Sequence, residues 1–215
     1  SFRPFTSSFV YFDQHLNGRT YQLPSLFPRE GVNVAISFLG IASAHELAVF
    51  SENKLFDLGQ LKFGNGGTQG VSRYRYDESG NKLDNITGWA LKQFQANYEK
   101  VPSRPAARAP QGGGKDSKIT KDDIFHYVYG VLHDPVYREK YAINLKREFP
   151  RIPFYPDFFA WAEWGKRLMD LHIAYESVKP FGLKRRDGKD DGADPKPVLK
   201  ADKDNGTIVL DSRTT

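Results

Sequence analysis

An Asp134-Pro135 step divides the stretch from Ile119 to Ile152, ITKDDIFHYVYGVLHDPVYREKYAINLKREFPRI, and constrains the fold more than any other feature of the chain. Thr120 is placed to cap a first helix, and Asp123 sits where a capping box more often has Glu or Gln. Ile124, Val128 and Val131 follow with helical spacing, so one face of that helix is built for burial. The helix should stop near His133. Asp134 is a good N-cap, and Pro135 suits the first position of a second helix. Tyr137, Tyr141, Leu145 and Phe149 recur at steps of four along that second helix. The spacing therefore predicts two packed helices joined by a tight turn.

The rest of the chain arranges itself around this pair. Phe9-Val10-Tyr11-Phe12 reads as a strand, Asn17-Gly18 as a turn, and Thr20-Tyr21-Gln22-Leu23 as the returning partner. Val32 to Leu39 is an apolar run suited to a buried strand, and Glu46 to Phe50 and Lys54 to Phe56 can add two more. Gly64-Asn65-Gly66-Gly67 interrupts the pattern, and Asp77 to Asn81 reads as a turn. Asn85 or Thr87 can cap a helix carrying Trp89, Leu91, Phe94 and Tyr98. Residues 102–118 are dense in Pro, Ala and Gly and read as a flexible linker.

A third helix should begin near Pro156-Asp157 and run to about Tyr175, packing through Trp161, Trp164, Leu168, Leu171 and Tyr175. Residues 181–205 are charged and apolar-poor, which predicts mobility. Gly206 to Leu210 reads as a last strand that can return to the N-terminal sheet. The expected fold is α+β: a mixed α/β part over residues 1–101 with a small mixed sheet, then a helical bundle over 119–180 and a possible strand within 206–215.

Chemistry is hard to find. The chain lacks cysteine, so disulfides and thiolate metal sites are excluded. The Gly-rich segment has neither GxxxxGK[ST] nor GxGxxG spacing, which speaks against a phosphate cradle. No Asn/Asp-Pro-Pro-Tyr/Phe segment of the kind adenine methyltransferases use is present, nor a cluster of Asp, Glu and Lys suited to a nuclease. His126 and His133 lie seven apart and, with His172, can be imagined around a zinc ion. Without HExxH or HxxxH spacing, polar residues at helix seams are the simpler reading. No apolar run approaches the length of a membrane span, and no signal-peptide pattern opens the sequence. A start at Ser1 rather than Met suggests a piece of a longer protein. The net charge of +5 is compatible with DNA contact but moves that reading only slightly.

The segments DIFHYVYGVLHDPVYREKYAINLKREFPRIPFY and WAEWGKRLMDLHIAYE resemble the C-terminal specificity region of Type ISP restriction–modification enzymes. SFRPFTSSFVYFDQHLN and SRYRYDESGNKLDNITGWALKQF resemble it too, so the likeness covers most of residues 1–180. It weakens near Gly64 and after Pro180. In that family a nuclease, an ATP-driven translocase and an adenine-specific methyltransferase precede a target-recognition domain. The resemblance implies duplex DNA and the upstream methyltransferase as partners and a bacterial cytoplasmic setting. It also implies S-adenosylmethionine, ATP and Mg²⁺ for the parent enzyme, with no cofactor and no catalytic residue in this fragment.

Two sets of residues are expected at DNA. Arg138, Lys140, Lys146, Arg147 and Arg151 outnumber Glu139 and Glu148 on and after the second helix. With Lys140 and Arg147 seven apart, one face can track a phosphate backbone, or simply be solvated. Asn65, Gln69, Arg73 and Arg75 lie where the resemblance weakens, and their side-chain types can bond base edges. Lys184-Arg185-Arg186 forms a further basic cluster, partly cancelled by neighbouring Asp residues. The competing readings are a structural module bracing a large nucleic-acid enzyme and a stand-alone metal-dependent hydrolase using the histidines.

Overall fold

The computed structural model describes residues 4–13, 15–29, 31–39, 45–61, 67–98, 118–179, 182–189, 192, 194–202 and 204–215. They divide into two compact units, residues 1–177 and 178–215. The expected linker at 102–118 lies outside the described residues save for Lys118.

In the first unit, a helical turn α1 (Leu23–Leu26) precedes strands β1 (Ala35–Leu39) and β2 (Val49–Glu52). Strand β3 (Thr68–Ser72) follows, then the hairpin β4 (Tyr74–Tyr76) and β5 (Lys82–Asp84). Helices α2 (Gly88–Tyr98), α3 (Lys121–Leu132), α4 (Pro135–Lys140), α5 (Ala142–Arg147) and α6 (Phe158–Ile173) complete it. β1 is the centre of an antiparallel sheet of order β2-β1-β3. Its residues are all buried, as the apolar run Val32–Leu39 required. Ile36, Phe38 and Val49 join Phe94, Tyr127, Val131, Leu145, Phe158 and Met169 in one core. Sheet and helices thus share an interior across residues 102–118.

Local signals explain the helix ends. The Thr120 hydroxyl accepts from the Asp123 amide at 3.2 Å, and the Asp123 carboxylate accepts from the Thr120 amide at 2.9 Å. Asp here closes the capping box expected of Glu or Gln. At the break, the Asp134 carboxylate accepts from the Val136 amide at 3.0 Å, capping α4. Thr87 caps α2 by accepting from the Ala90 amide.

Several expectations are corrected. Residues 9–12 and 20–23 do not pair: Phe9 to Tyr11 are exposed, and α1 stands where the return strand was expected. Lys54–Phe56 is not a strand; Thr68–Ser72 supplies the third strand instead.

The helix after Pro135 is broken at Tyr141, whose φ and ψ are −109° and 17°. In a straight helix Tyr137 and Leu145 would point about 80° apart. That angle lies within an ordinary apolar stripe, and both are buried.

On α6 the buried line is Phe158, Ala162, Gly165 and Met169, while Trp164 and Leu171 face solvent. The reason is the approach of α3. A Cβ on Gly130 would lie 2.7 Å from the Trp161 carbonyl oxygen, and one on Gly165 would overlap the His126 carbonyl oxygen. Only small residues allow two backbones this close; of the expected stripe, Trp161 and Leu168 still pack against the core.

The second unit is organised by a hairpin of β6 (Pro197–Asp202) and β7 (Thr207–Asp211). The last strand therefore pairs within its own unit rather than with β1–β3, and β6 occupies part of the charged stretch expected to be mobile. Its turn is closed by Asp202, whose carboxylate accepts from the Asp204 and Asn205 amides. No described helix is long and apolar enough to cross a membrane.

Candidate nucleic-acid interface

The basic residues expected at DNA fall into three situations. Arg73 is inside: its side chain is 9% exposed, and its Nε and Nη1 donate to Asp122 at 2.5 Å and Asp84 at 2.6 Å. Burial opposes the charge, but the two carboxylates outweigh it and hold the guanidinium pKa above its ordinary value. Lys121 reaches the second oxygen of Asp84 at 2.7 Å. This network ties β4 and β5 to the first turn of α3, so Arg73 positions the hairpin rather than facing solvent. Arg73→Ala should lower stability by about 1–2 kcal/mol, because Asp84 and Asp122 are themselves partly solvated. Urea denaturation checks this. Unchanged stability would return Arg73 to the set of DNA-facing cations.

Arg138 is also spent on structure. Its Nε donates to the Leu132 carbonyl at 2.6 Å, at the C-terminal end of α3, and burial pushes its pKa down. Arg151 is exposed but paired with Glu148 at 2.7 Å.

Lys140, Lys146 and Arg147 remain, and none forms an ion pair with a described residue. Lys140 and Arg147 are exposed and Lys146 is half-buried. The break at Tyr141 removes the single helical face on which Lys140 and Arg147 were expected to align.

The Phe149 ring, just beyond α5, packs edge-on against Phe38 at 6.0 Å. Phe38 is the register partner of Gln69. Directly opposed residues of an antiparallel pair share a face, so exposed Gln69 on edge strand β3 projects on the side of the sheet where Phe149 sits. Gln69 and Phe149 are thereby on the same side of the sheet. Arg75 is exposed on the separate β4–β5 hairpin, and Asn65 lies outside the described residues.

The backbone of residues 151–155 is held by tyrosine hydroxyls. Tyr137 donates to the Arg151 carbonyl at 3.0 Å, Tyr127 to the Pro153 carbonyl at 2.6 Å, and Tyr98 to the Tyr155 carbonyl at 2.7 Å. The Tyr155 amide donates to the Tyr127 hydroxyl at 2.7 Å. Burial raises the pKa of Tyr98 and Tyr127, which keeps both protonated as donors. Sequence periodicity marks Tyr98 and Tyr137 only as apolar stripe and does not single out Tyr127; the hydroxyl partners lie far along the chain.

His133 and His172 come together, with ring centroids 5.7 Å apart. His172 Nδ1 bonds the Tyr129 hydroxyl, and His133 Nδ1 bonds the Tyr129 carbonyl oxygen at 2.9 Å. His172 also stacks on Phe50. These are polar side chains at a seam between β2, α3 and α6. Among the described residues no group of His, Asp and Glu could hold a metal ion.

Residues 1–215 match the family described as the Type ISP C-terminal specificity domain. Among solved structures, the chain resembles a cryoEM structure of a DrdV–DNA complex at 42% identity and a TM-score of 0.79, covering 99% of this chain and 20% of that one. It resembles a nuclease-deletion mutant of the Type ISP restriction–modification enzyme LlaGI, in complex with a DNA substrate mimic, at 25% identity and a TM-score of 0.66. There it covers 99% of this chain and 17% of that one. The ATP-dependent Type ISP enzyme LlaBIII bound to DNA, at 23% identity, a TM-score of 0.69 and 99% and 13% coverage, bears on the fold alone. A comparison with curated proteins returns no match. The chain thus spans a fifth or less of those three chains. With the family match running its whole length and the α+β arrangement shared, the chain belongs to the Type ISP C-terminal specificity domain family.

Proposed function

We propose that this domain recognises a DNA target for a Type ISP restriction–modification polypeptide. In this reading Lys140, Lys146 and Arg147, with Arg151 beside them, meet phosphates, and Gln69 faces the duplex from the neighbouring edge strand. The observation that carries it is that Lys146 and Arg147 form no ion pair with a described residue and stand two or three positions from Phe149, whose ring packs on Phe38, the register partner of Gln69. Cations left without carboxylate partners suit an anionic surface. The DNA-bound state of the DrdV and LlaGI relatives supports the same reading.

Adenine methylation with S-adenosylmethionine, and ATP- and Mg²⁺-dependent translocation and cleavage, belong on this view to the remainder of the polypeptide, in a bacterial cytoplasm. The specificity domain holds the target while the adjoining methyltransferase closes on the other side of the duplex.

Charge reversal tests the docking. In the full polypeptide, Lys146→Glu with Arg147→Glu should weaken DNA binding at least roughly tenfold. The slope of log affinity against log salt should shrink by about 0.9 for each phosphate no longer neutralised. Fluorescence anisotropy at several salt concentrations reads both. If affinity and slope are unchanged while thermal stability falls, the segment braces the enzyme and does not touch DNA.

A further inference from the structure

We infer that the β4–β5 hairpin is a groove-reading finger, with phosphate contacts at its stem and base contacts at its tip. This rests on the DNA-docking reading and adds to it the element that sets sequence preference. Arg75, the residues from Asp77 to Lys82, and Asp84 are all exposed, while Tyr74, Tyr76 and Leu83 are partly buried, so one face and the tip of the finger are open to solvent. An isolated two-stranded hairpin is marginal in water, yet this one is anchored on every side of its base. Arg73 joins it to α3 through Asp84 and Asp122. The Asn33 carboxamide bonds both the amide and the carbonyl of Tyr74, and the Tyr76 hydroxyl donates to the Val32 carbonyl at 3.0 Å. The Tyr74 ring has the Arg73 guanidinium at 4.1 Å and the Lys82 ammonium at 3.7 Å.

The tip is equally ordered. The Asp77 carboxylate accepts from the amides of Ser79 and Asn81 and from the Asn81 side chain. Gly80 supplies the positive φ of 79° that the turn requires. Those hydrogen bonds, the Asn81 pair first among them, hold the Asp77 carboxyl below its ordinary pKa. Asp77 is therefore occupied within the turn. Glu78 and the Ser79 hydroxyl are the exposed groups at the end.

The order of charges along the finger decides its orientation. Cations stand at the stem, Arg75 and Lys82, and a carboxylate stands at the tip, Glu78. Laid flat on the backbone, Glu78 would be repelled by phosphates. Inserted end-on, it leaves the phosphates at stem height and meets base edges, where a carboxylate accepts from the cytosine amino group. Dimensions agree: three residues from the Tyr76–Lys82 pair to the turn span about 7–10 Å. The major groove is about 8.5 Å deep and 12 Å wide, room for a two-stranded ribbon, whereas the minor groove is about 6 Å wide.

The test uses the full polypeptide and a library of random-sequence duplexes, with bound sequences read by sequencing and affinity by anisotropy. Glu78→Ala with Ser79→Ala, which spares Asp77, Gly80 and Asn81, should relax preference at one or two base positions by roughly tenfold while general DNA affinity stays within about twofold. Arg75→Ala with Lys82→Ala should weaken all sequences alike and lower the salt slope. An unaltered preference in the tip variant, together with abolished binding in the Lys146→Glu/Arg147→Glu variant, would overturn the finger and leave DNA docking standing. Parental binding in all three variants would overturn both.

Discussion

Gly165→Ala should unfold the first unit or lower its stability by about 3 kcal/mol or more, at or above the upper end for overpacked cores. The added methyl would overlap the His126 carbonyl oxygen and lie 2.8 Å from the Gly130 amide nitrogen. Both obstacles are backbone atoms of α3, so no side chain can rotate away. α3 and α6 would have to separate, opening the core around Tyr127, Phe158 and Met169. Trp164→Ala, on the solvent side of the same helix, should cost under about 1 kcal/mol, since exposed positions tolerate truncation. Thermal denaturation of the two variants side by side makes the comparison. Comparable melting temperatures for Gly165→Ala and the parent would refute the close crossing.

Glu52→Gln should stabilise the protein at alkaline pH and leave it unchanged near pH 4. Glu52 is 6% exposed, and burial raises its pKa from 4.5 to about 7, with the Gln60 hydrogen bond opposing. Between those two values the folded state binds more protons than the unfolded state, so stability falls as pH rises and is fully lost above the upper one. At ~1.4 kcal/mol per pH unit the loss is about 3 kcal/mol. Glutamine keeps the shape, removes the charge and retains an oxygen that can accept from the Gln60 side-chain amide.

His172 acts in the opposite sense. Burial, with the nearby His133 charge adding, lowers its pKa from 6.5 to about 4. There the unfolded state binds more protons, so stability rises with pH across that window. The parent should therefore show a flattened profile, and Glu52→Gln should uncover the histidine slope: stability climbing to about pH 6.5 and then level. Urea midpoints measured from pH 4 to 8 decide the matter. Parallel curves for parent and variant would mean that Glu52 is ionised in the fold.

What could be read from the sequence was local. Thr120, Asp134 and Thr87 act on amides two or three residues away, so the starts of α2, α3 and α4 were legible. The apolar run around β1 likewise carries its own burial. The face of α6 was not legible, because its phase is set by Gly130 on another helix. Nor was the role of Arg73, whose carboxylates sit at 84 and 122. Residue type alone makes a buried brace and a base reader look alike. Gln69 has base-reading chemistry, but only strand register and the packing of Phe38 on Phe149 put it on the same side of the sheet as Phe149. The YRYDESGNKLD segment does carry a hairpin's signature, a turn between alternating strands, of which the turn is the part local chemistry marks.

The tyrosine clasps on residues 151–155 bear on how such a domain changes its target. Hydroxyls from α2, α3 and α4 fix that strap through its main-chain carbonyls. The strap's path is thus indifferent to which side chains it displays. The exposed Arg151 side chain can therefore be replaced while the scaffold beneath it keeps its course, whereas Phe154, packed edge-on against Phe94 and Tyr98, cannot.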